Sequence, residues 1–411
     1  MKILHLLSQI PEATGSGIYL QSALKHASKQ GFHNYLLAGV PKNFSQQQKF
    51  ETLACREYSA VHFEHDLPFP VVGMSDVMPY PSIRFCDLSP GDLSLYAIQF
   101  KKKLIAAVKR WKPDMIHSHH LWLWTSLTRQ LFPDIPLVAS CHGSDLRQFQ
   151  SCFHLQEDVL SGCRHIDAVC ALTWKQKLEI QTLYGIEAQK IHVIGAGFDH
   201  ERFYFSTQKV DSEPVQILYA GKLSRAKGVP WLLKALRRLP ADQYIFHLVG
   251  DSEGPEKQEI LQLVSELGSN VQVHGKMDQD RLSDLMRQTD LFVLPSFYEG
   301  LPLVLLEALA CGSRIVATAL PGIVELFSGA KSSWIQLVEQ PQMASIDVPQ
   351  ASEDEKFIDT LARALRTQIE NIQTQHRTSG LPDEIQSLLN NYTWETVFRE
   401  IELIYGHLGV K

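Results

Sequence analysis

The chain has no long apolar run. Hydrophobic residues make up 45% of its 411 positions, yet the stretch from Leu301 to Ala310 is short and is broken by Glu307. No membrane-spanning helix is therefore expected. It also lacks an excess of one charge. Lys and Arg number 39 against 45 Asp and Glu, a net of −6, which argues against a dedicated nucleic-acid binder. Residues 1–198 are slightly basic, with 19 Lys and Arg against 16 Asp and Glu. Gly and Pro number 24 and 20 and follow no period, so collagen-like and low-complexity architectures are excluded. Cysteine is sparse at seven. The opening residues, Met-Lys-Ile-Leu-His-Leu-Leu-Ser-Gln, read as a first strand rather than an export signal. Reduced cysteines and a cytoplasmic location follow as expectations, with the inner face of the membrane as an option.

Several motifs are missing as well. There is no G-x-G-x-x-G loop, so no dinucleotide fingerprint. Twelve of the 17 histidines precede residue 199. Cys152-x-His154, Cys163-x-His165 and Cys170 nevertheless match no C-x2-C or H-x3-H spacing, and no metal is expected. Lys101, Lys102, Lys103, Lys109, Arg110 and Lys112 read as a solvated helix face, with a membrane or anionic-acceptor patch as the alternative.

What is present is a recurring alternation. Short apolar runs, each followed by a helix-like stretch, occur at Lys2–Ser8, Asn34–Gly39, Met115–Ser118, Leu137–His142, Ala168–Leu172 and Ile191–Ile194. A second series runs through Val215–Ala220, Tyr244–Val249, Val271–His274, Leu291–Pro295, Arg314–Thr318 and Trp334–Val338. Continuous apolar strands alternating with helices indicate parallel sheets covered on both faces. The fold class is α/β, with two Rossmann-like domains. The expected division is 1–198, 199–391 and a C-terminal helix over 392–411, with the break near Phe198–Pro214. Segments 41–60, 64–95 and 339–356 read as loops or insertions.

The densest chemical signal runs from Pro295 to Gly312. A strand ends at Pro295, a short loop carries Glu299 and Gly300, and a helix starts near Pro302, where a missing N–H costs nothing. Glu299 is thus expected at the C-terminal edge of a parallel sheet, the usual ligand crevice. Free N–H groups at the helix start suit phosphate. Glu307 reaches toward the same mouth although apolar Leu305, Leu306, Ala308 and Leu309 surround it. Two carboxylates flanking a phosphate site suit a nucleotide-sugar. The plainer alternative makes Glu299 a helix cap and Glu307 a solvated helix residue.

This segment resembles the E-x7-E signature of retaining glycosyltransferases of family 4, which have the GT-B fold. The resemblance implies two Rossmann-like domains facing a cleft, with the C-terminal helix returning to the first. It places Glu299 on the donor sugar and Glu307 on the donor ribose. The amides of Gly300, Leu301, Leu303 and Val304 are then candidates for sugar and phosphate. Tyr219-Ala-Gly-Lys-Leu-Ser-Arg-Ala-Lys-Gly228 is similar to the family's G-[RK]-L-x-x-x-K-G stretch. Lys222 and Lys227 fall on its basic positions, where they would stabilise a pyrophosphate leaving group without a metal. Lys222 stands where Arg is common and lacks the planar fork.

In the first domain, Thr14-Gly-Ser-Gly-Ile18 matches the family's small-residue loop. Gly15 and Gly17 would let the backbone approach the donor phosphates, with Ser16 toward the acceptor. Cys141-His-Gly-Ser-Asp145 resembles H-G-x-D, which puts His142 near the transferred sugar and lets Asp145 cap the next helix. His117, His119 and His120 are candidates for the acceptor pocket. Gly275 and Lys276 fall in the nucleobase vicinity. Val249-Gly-Asp251, Pro321-Gly-Ile-Val-Glu325 and Tyr392-x-Trp394 extend the resemblance.

The expected activity is transfer of a sugar, with retention, from a nucleotide-sugar to a hydroxyl of a saccharide, lipid-linked or small-molecule acceptor. UDP-sugar is the base-rate donor, no cofactor is required, and peripheral membrane contact is an option. A nucleotide-sugar epimerase of the same fold is the alternative, and a non-enzymatic nucleotide-sugar sensor is a third reading.

Overall fold

The computed structural model describes residues 1–12, 14–44, 53–75, 78–207, 213–252, 254–345, 347–374 and 380–409. The chain divides into two compact units, one of Met1–Gly197 with Trp394–Lys411 and one of Phe198–Thr393. Residues 208–212, inside the proposed domain break, lie outside the described residues.

The first unit runs β1 (Lys2–Leu7), α1 (Gly15–Lys29), β2 (His33–Pro41), β3 (Glu57–Phe63), β4 (Val71–Gly73), β5 (Ser82–Arg84), α2 (Pro90–Trp111) and β6 (Met115–His119). It continues with α3 (Leu123–Leu131), β7 (Leu137–Ser140), α4 (Ser144–Ser151), α5 (Gln156–Cys163), β8 (Ala168–Ala171), α6 (Trp174–Tyr184) and β9 (Ile191–Val193). Its main sheet has the order β3-β2-β1-β6-β7-β8-β9, with every pairing parallel. Leu4, Leu6 and Ile116 enter one core cluster, and Leu7 joins Leu20 and Leu24 in another.

The second unit runs β10 (Val215–Ala220), α7 (Val229–Leu236), β11 (Tyr244–Val249), α8 (Gly254–Leu267), β12 (Val271–Gly275), α9 (Gln279–Gln288), β13 (Leu291–Leu294) and α10 (Leu303–Ala310). Next come β14 (Arg314–Thr318), α11 (Pro321–Phe327), β15 (Ile335–Val338), β16 (Met343–Ser345), β17 (Val348–Pro349), α12 (Asp354–Thr374) and α13 (Asp383–Asn390). Its sheet is β12-β11-β10-β13-β14-β15, again wholly parallel. The last helix, α14 (Trp394–Leu408), belongs to the first unit and packs on α1 through Trp394 and Phe398, while Tyr405 meets Phe32 just beyond α1. Among the described residues no helix is long and apolar enough to cross a membrane.

Both sheets reverse their strand order at the first strand, between β1 and β6 and between β10 and β13. Loops after such strands converge on the crevice at the sheet's C-terminal edge.

Three segments read as loops contain structure. Strand β3 begins inside 41–60, at Glu57, runs to Phe63 and pairs in parallel with β2. Its sequence Glu-Tyr-Ser-Ala-Val-His-Phe mixes polar and apolar residues, because an edge strand is not enclosed on all sides. Within 64–95, β4 pairs with β5, and α2 begins at Pro90 behind a reciprocal capping box between Ser89 and Asp92. Within 339–356, β16 and β17 form a short antiparallel pair.

The expectation that all seven cysteines are reduced is corrected for two of them. Cys86 and Cys152 form a disulfide across 66 positions, with Cα atoms 5.2 Å apart. Only folding brings the residues after β5 against the end of α4, and local spacing carries no trace of that approach. Cys55, Cys141, Cys163, Cys170 and Cys311 are free.

Candidate active site

In the second unit, the loops after β10 and β13 are locked together. The Phe297 N–H donates to the Ala226 carbonyl at 3.0 Å. Gly228 has φ +68°, and a Cβ there would lie 2.1 Å from the Pro295 carbonyl oxygen. A side chain at Gly228 would therefore push the two loops apart. Gly250 is similarly confined, since its Cβ would lie 1.8 Å from the Gly221 oxygen.

This frame brings Lys227 to Glu299. The ammonium lies 2.8 Å from Glu299 Oε1 and donates to the Tyr298 carbonyl at 3.3 Å. Ser296 Oγ donates to the same carboxylate oxygen at 2.7 Å. Glu299 and Lys227 both remain partly open to solvent. Lys222 is exposed, and its carbonyl accepts the Tyr219 hydroxyl at 2.8 Å. The Leu223 N–H bonds the Asp251 carbonyl, and the Gly250 N–H bonds the Gly275 carbonyl. Gly275 and Lys276 thus sit on a loop tied to the other two, and the Lys276 charge acts on Asp251.

Helix α10 follows with Pro302 at its N-cap position. Of the four candidate amides after Glu299, that of Leu303 is already engaged by the Leu301 carbonyl at 3.0 Å. Glu307 is part-buried one turn further on. Burial pushes its carboxyl up to about 7; Arg202 opposes that shift and Asp199 reinforces it. Arg202 donates to Asp280 at 2.8 Å and also bonds Gln279. A carboxylate held near neutrality accepts hydroxyl hydrogen bonds strongly once ionised.

In the first unit, the Thr14 hydroxyl accepts the Gly17 N–H at 3.1 Å and starts α1. A Cβ on Gly17 would lie 2.9 Å from the Pro11 carbonyl carbon, so this glycine permits the close approach of helix to loop. Gly15 is exposed with nothing near its Cβ position. Ser16 is buried, and its hydroxyl accepts from the Gln9 amide at 2.8 Å.

His142 lies in the loop after β7 and packs edge-on against Tyr19 at 4.9 Å between centroids. Its Nε2 is buried without a hydrogen bond. Burial holds its pKa well below the ordinary range, and His120 and His117 lower it further. Asp145 does not cap α4 as expected. Gly143 occupies that position, and the buried Asp145 carboxylate instead accepts from the Leu121 N–H at 2.9 Å and the His142 N–H at 3.1 Å. It joins the loops after β6 and β7.

His117, His119 and His120, the acceptor-pocket candidates, lie in the interior of the first unit. They are 0, 2 and 2% exposed. In register, His5 pairs with His117 and Leu7 with His119. The alternation of a strand then turns His117 and His119 to the face covered by α1 and α14. His117 bonds Tyr405 of α14 at 2.6 Å and Ser140 at 2.8 Å.

Sequence reasoning missed His5, Tyr19, Ser296 and Arg202. A histidine inside the apolar run Lys-Ile-Leu-His-Leu-Leu was a usable signal for the first. The others owe their positions to contacts between distant segments.

Two parallel sheets with loops gathered at their switch points define a GT-B glycosyltransferase fold. The model "Glycosyltransferase Family 4" matches residues 14–202, and "Glycosyl transferases group 1" matches 201–370. The chain belongs to the family 4-like glycosyltransferases of the GT-B fold. It is 28% identical over 235 residues to a glycogen synthase of Mycobacterium tuberculosis, covering 54% of this chain and 56% of that protein. It is 24% identical over 330 residues to the N-acetyl-alpha-D-glucosaminyl L-malate synthase of Bacillus anthracis, covering 75% and 84%. The matched region thus spans only about half the length of that glycogen synthase. Among solved structures, sucrose-phosphate synthase from Thermosynechococcus elongatus matches with TM-score 0.72 and 20% identity over 99% of both chains. Anabaena HepE in complex with UDP and glucose matches with TM-score 0.69 and 19% identity, covering 99% of this chain and 100% of that one.

Proposed function

We propose that the protein transfers a sugar from a nucleotide-sugar, most simply a UDP-sugar, to an acceptor hydroxyl with retention of configuration. The observation that carries this reading is the 2.8 Å pair of Lys227 and Glu299 at the β10–β13 switch point. The donor's diphosphate competes for Lys227 and releases Glu299 to accept hydrogen bonds from sugar hydroxyls. Lys227 and the exposed Lys222 then stabilise charge building on the leaving phosphate. No step is assigned to a metal. In this reading Glu307 holds the donor ribose. The presence of UDP and glucose in the HepE structure supports the choice of donor.

The family relationship favours transfer over epimerisation. Incubating the protein with UDP-, GDP- and ADP-sugars, with and without glycosyl acceptors, tests the reading. Acceptor-dependent nucleotide release is expected, and proton NMR of the product should show the donor's anomeric configuration. Acceptor-free conversion of one sugar nucleotide into another would instead establish the epimerase.

Contact with an anionic membrane surface is part of the proposal. On α2, the exposed Leu95, Ile98 and Ile105 interleave with exposed Lys101, Lys102 and Lys109. That pattern suits a helix lying on anionic lipid.

A further inference from the structure

The first unit contains a histidine cluster that the transfer reading does not use in full. His5 on β1 and His117 and His119 on β6 point to one face of the sheet. Their rings lie 4.7 to 5.8 Å apart between centroids, with interplanar angles of 17 to 37°. One side-chain nitrogen from each comes within 4.8 Å of the other two. Both nitrogens of His5 and both of His119 are buried without a hydrogen bond of normal geometry. Buried polar atoms without well-formed hydrogen bonds carry a desolvation cost that a core ordinarily avoids.

We propose that His5, His117 and His119 form a binding site for one divalent transition-metal ion of the borderline class that imidazole favours, zinc being the first choice. Three histidines are a recurrent ligand set for such ions, with the fourth position left to water or another donor. Tetrahedral ligation at about 2.0–2.1 Å requires nitrogens about 3.4 Å apart, so the rings must turn toward one another.

Groups that would orient the ligands are already in place. Asn34 lies beside His5 and raises its pKa against the stronger effect of burial. Its side-chain oxygen also lacks a hydrogen bond of normal geometry. His117 would keep one of its two bonds, to Tyr405 or Ser140, and give up the other to the ion. Such outer partners set the tautomer of a ligating histidine. Tyr19, whose hydroxyl makes no hydrogen bond of normal geometry, stands edge-on to His119 at 5.9 Å. The ion would clip β1 to β6 and serve the first unit's structure, outside the transfer chemistry.

The test uses tag-free full-length protein stripped with a chelator, then titrated separately with zinc and cobalt. Bound metal per chain is measured after desalting, and the cobalt form is examined by visible absorption. One retained equivalent, a ligand-field band of a low-coordinate nitrogen site and a raised Tm are expected. His5→Gln and His119→Gln should each weaken binding by at least about tenfold. Retention of no metal by the parental protein overturns the proposal, as does unchanged affinity in both variants. If a variant fails to fold, the parental cobalt spectrum decides: a six-coordinate, surface-type spectrum also overturns it.

Discussion

Glu307→Gln separates what the site contributes to stability from what it contributes to binding. Burial raises the carboxyl from 4.5 to about 7. Between those values the folded chain holds a proton that the unfolded chain has lost. Stability therefore falls as pH rises from about 4.5 to 7 and levels off above that range. At about 1.36 kcal/mol per pH unit, that rise is a ceiling of about 3 kcal/mol. Part of this is recovered through solvent, since Glu307 is only part-buried. Glutamine keeps the shape without the charge. At pH 8.5 the variant should melt a few degrees above the parent, at about 2–4 °C per kcal/mol for a unit of this size. The difference should shrink as pH falls and vanish below about pH 4. Donor affinity should move the other way. Charge-assisted hydrogen bonds to ribose hydroxyls are worth about 1.5–3 kcal/mol, so the dissociation constant should rise roughly tenfold or more. Parental donor affinity should itself improve as pH rises through about 7. Thermal melts across pH and calorimetric titration with a UDP-sugar read both effects. A variant with parental donor affinity would remove Glu307 from the site. Identical pH–Tm profiles would show that its carboxyl is not held up by burial.

Three further outcomes follow from named contacts. Lys227→Ala should lower turnover by about 10²–10³ while the fold survives, as expected for loss of one fixed charge at a developing anion; initial rates at saturating donor measure it, and near-parental turnover would refute the phosphate assignment. Gly228→Ala should destabilise the second unit by about 2 kcal/mol or more, because it joins a positive φ to a clash with the Pro295 carbonyl; urea unfolding would detect this, and an unchanged midpoint would refute the locked-loop account. Replacing Leu95, Ile98 and Ile105 with Ser should reduce cosedimentation with phosphatidylserine vesicles and leave binding to neutral vesicles unchanged; equal sedimentation of parent and variant would exclude α2 as the contact.

Local pattern determined the α/β class and the order of strands and helices. Buried parallel strands such as Leu291–Leu294 are continuous apolar runs, legible one residue at a time. Lys222 and Glu299 were legible because each follows a strand within a few residues, and Lys227 and Glu307 because of their spacing from these two. Strand β3 was not, since an edge strand tolerates a polar pattern indistinguishable from a loop. Only tertiary structure decided that Lys227 meets Glu299 across 72 positions, that Cys86 meets Cys152, and that Asp145 ties two loops instead of capping a helix. It also turned His117 and His119 inward beside His5. Which face of a strand is covered depends on where α1 and the distant α14 pack. A histidine's exposure, and with it its chemistry, is set by those neighbours and not by its place in the chain.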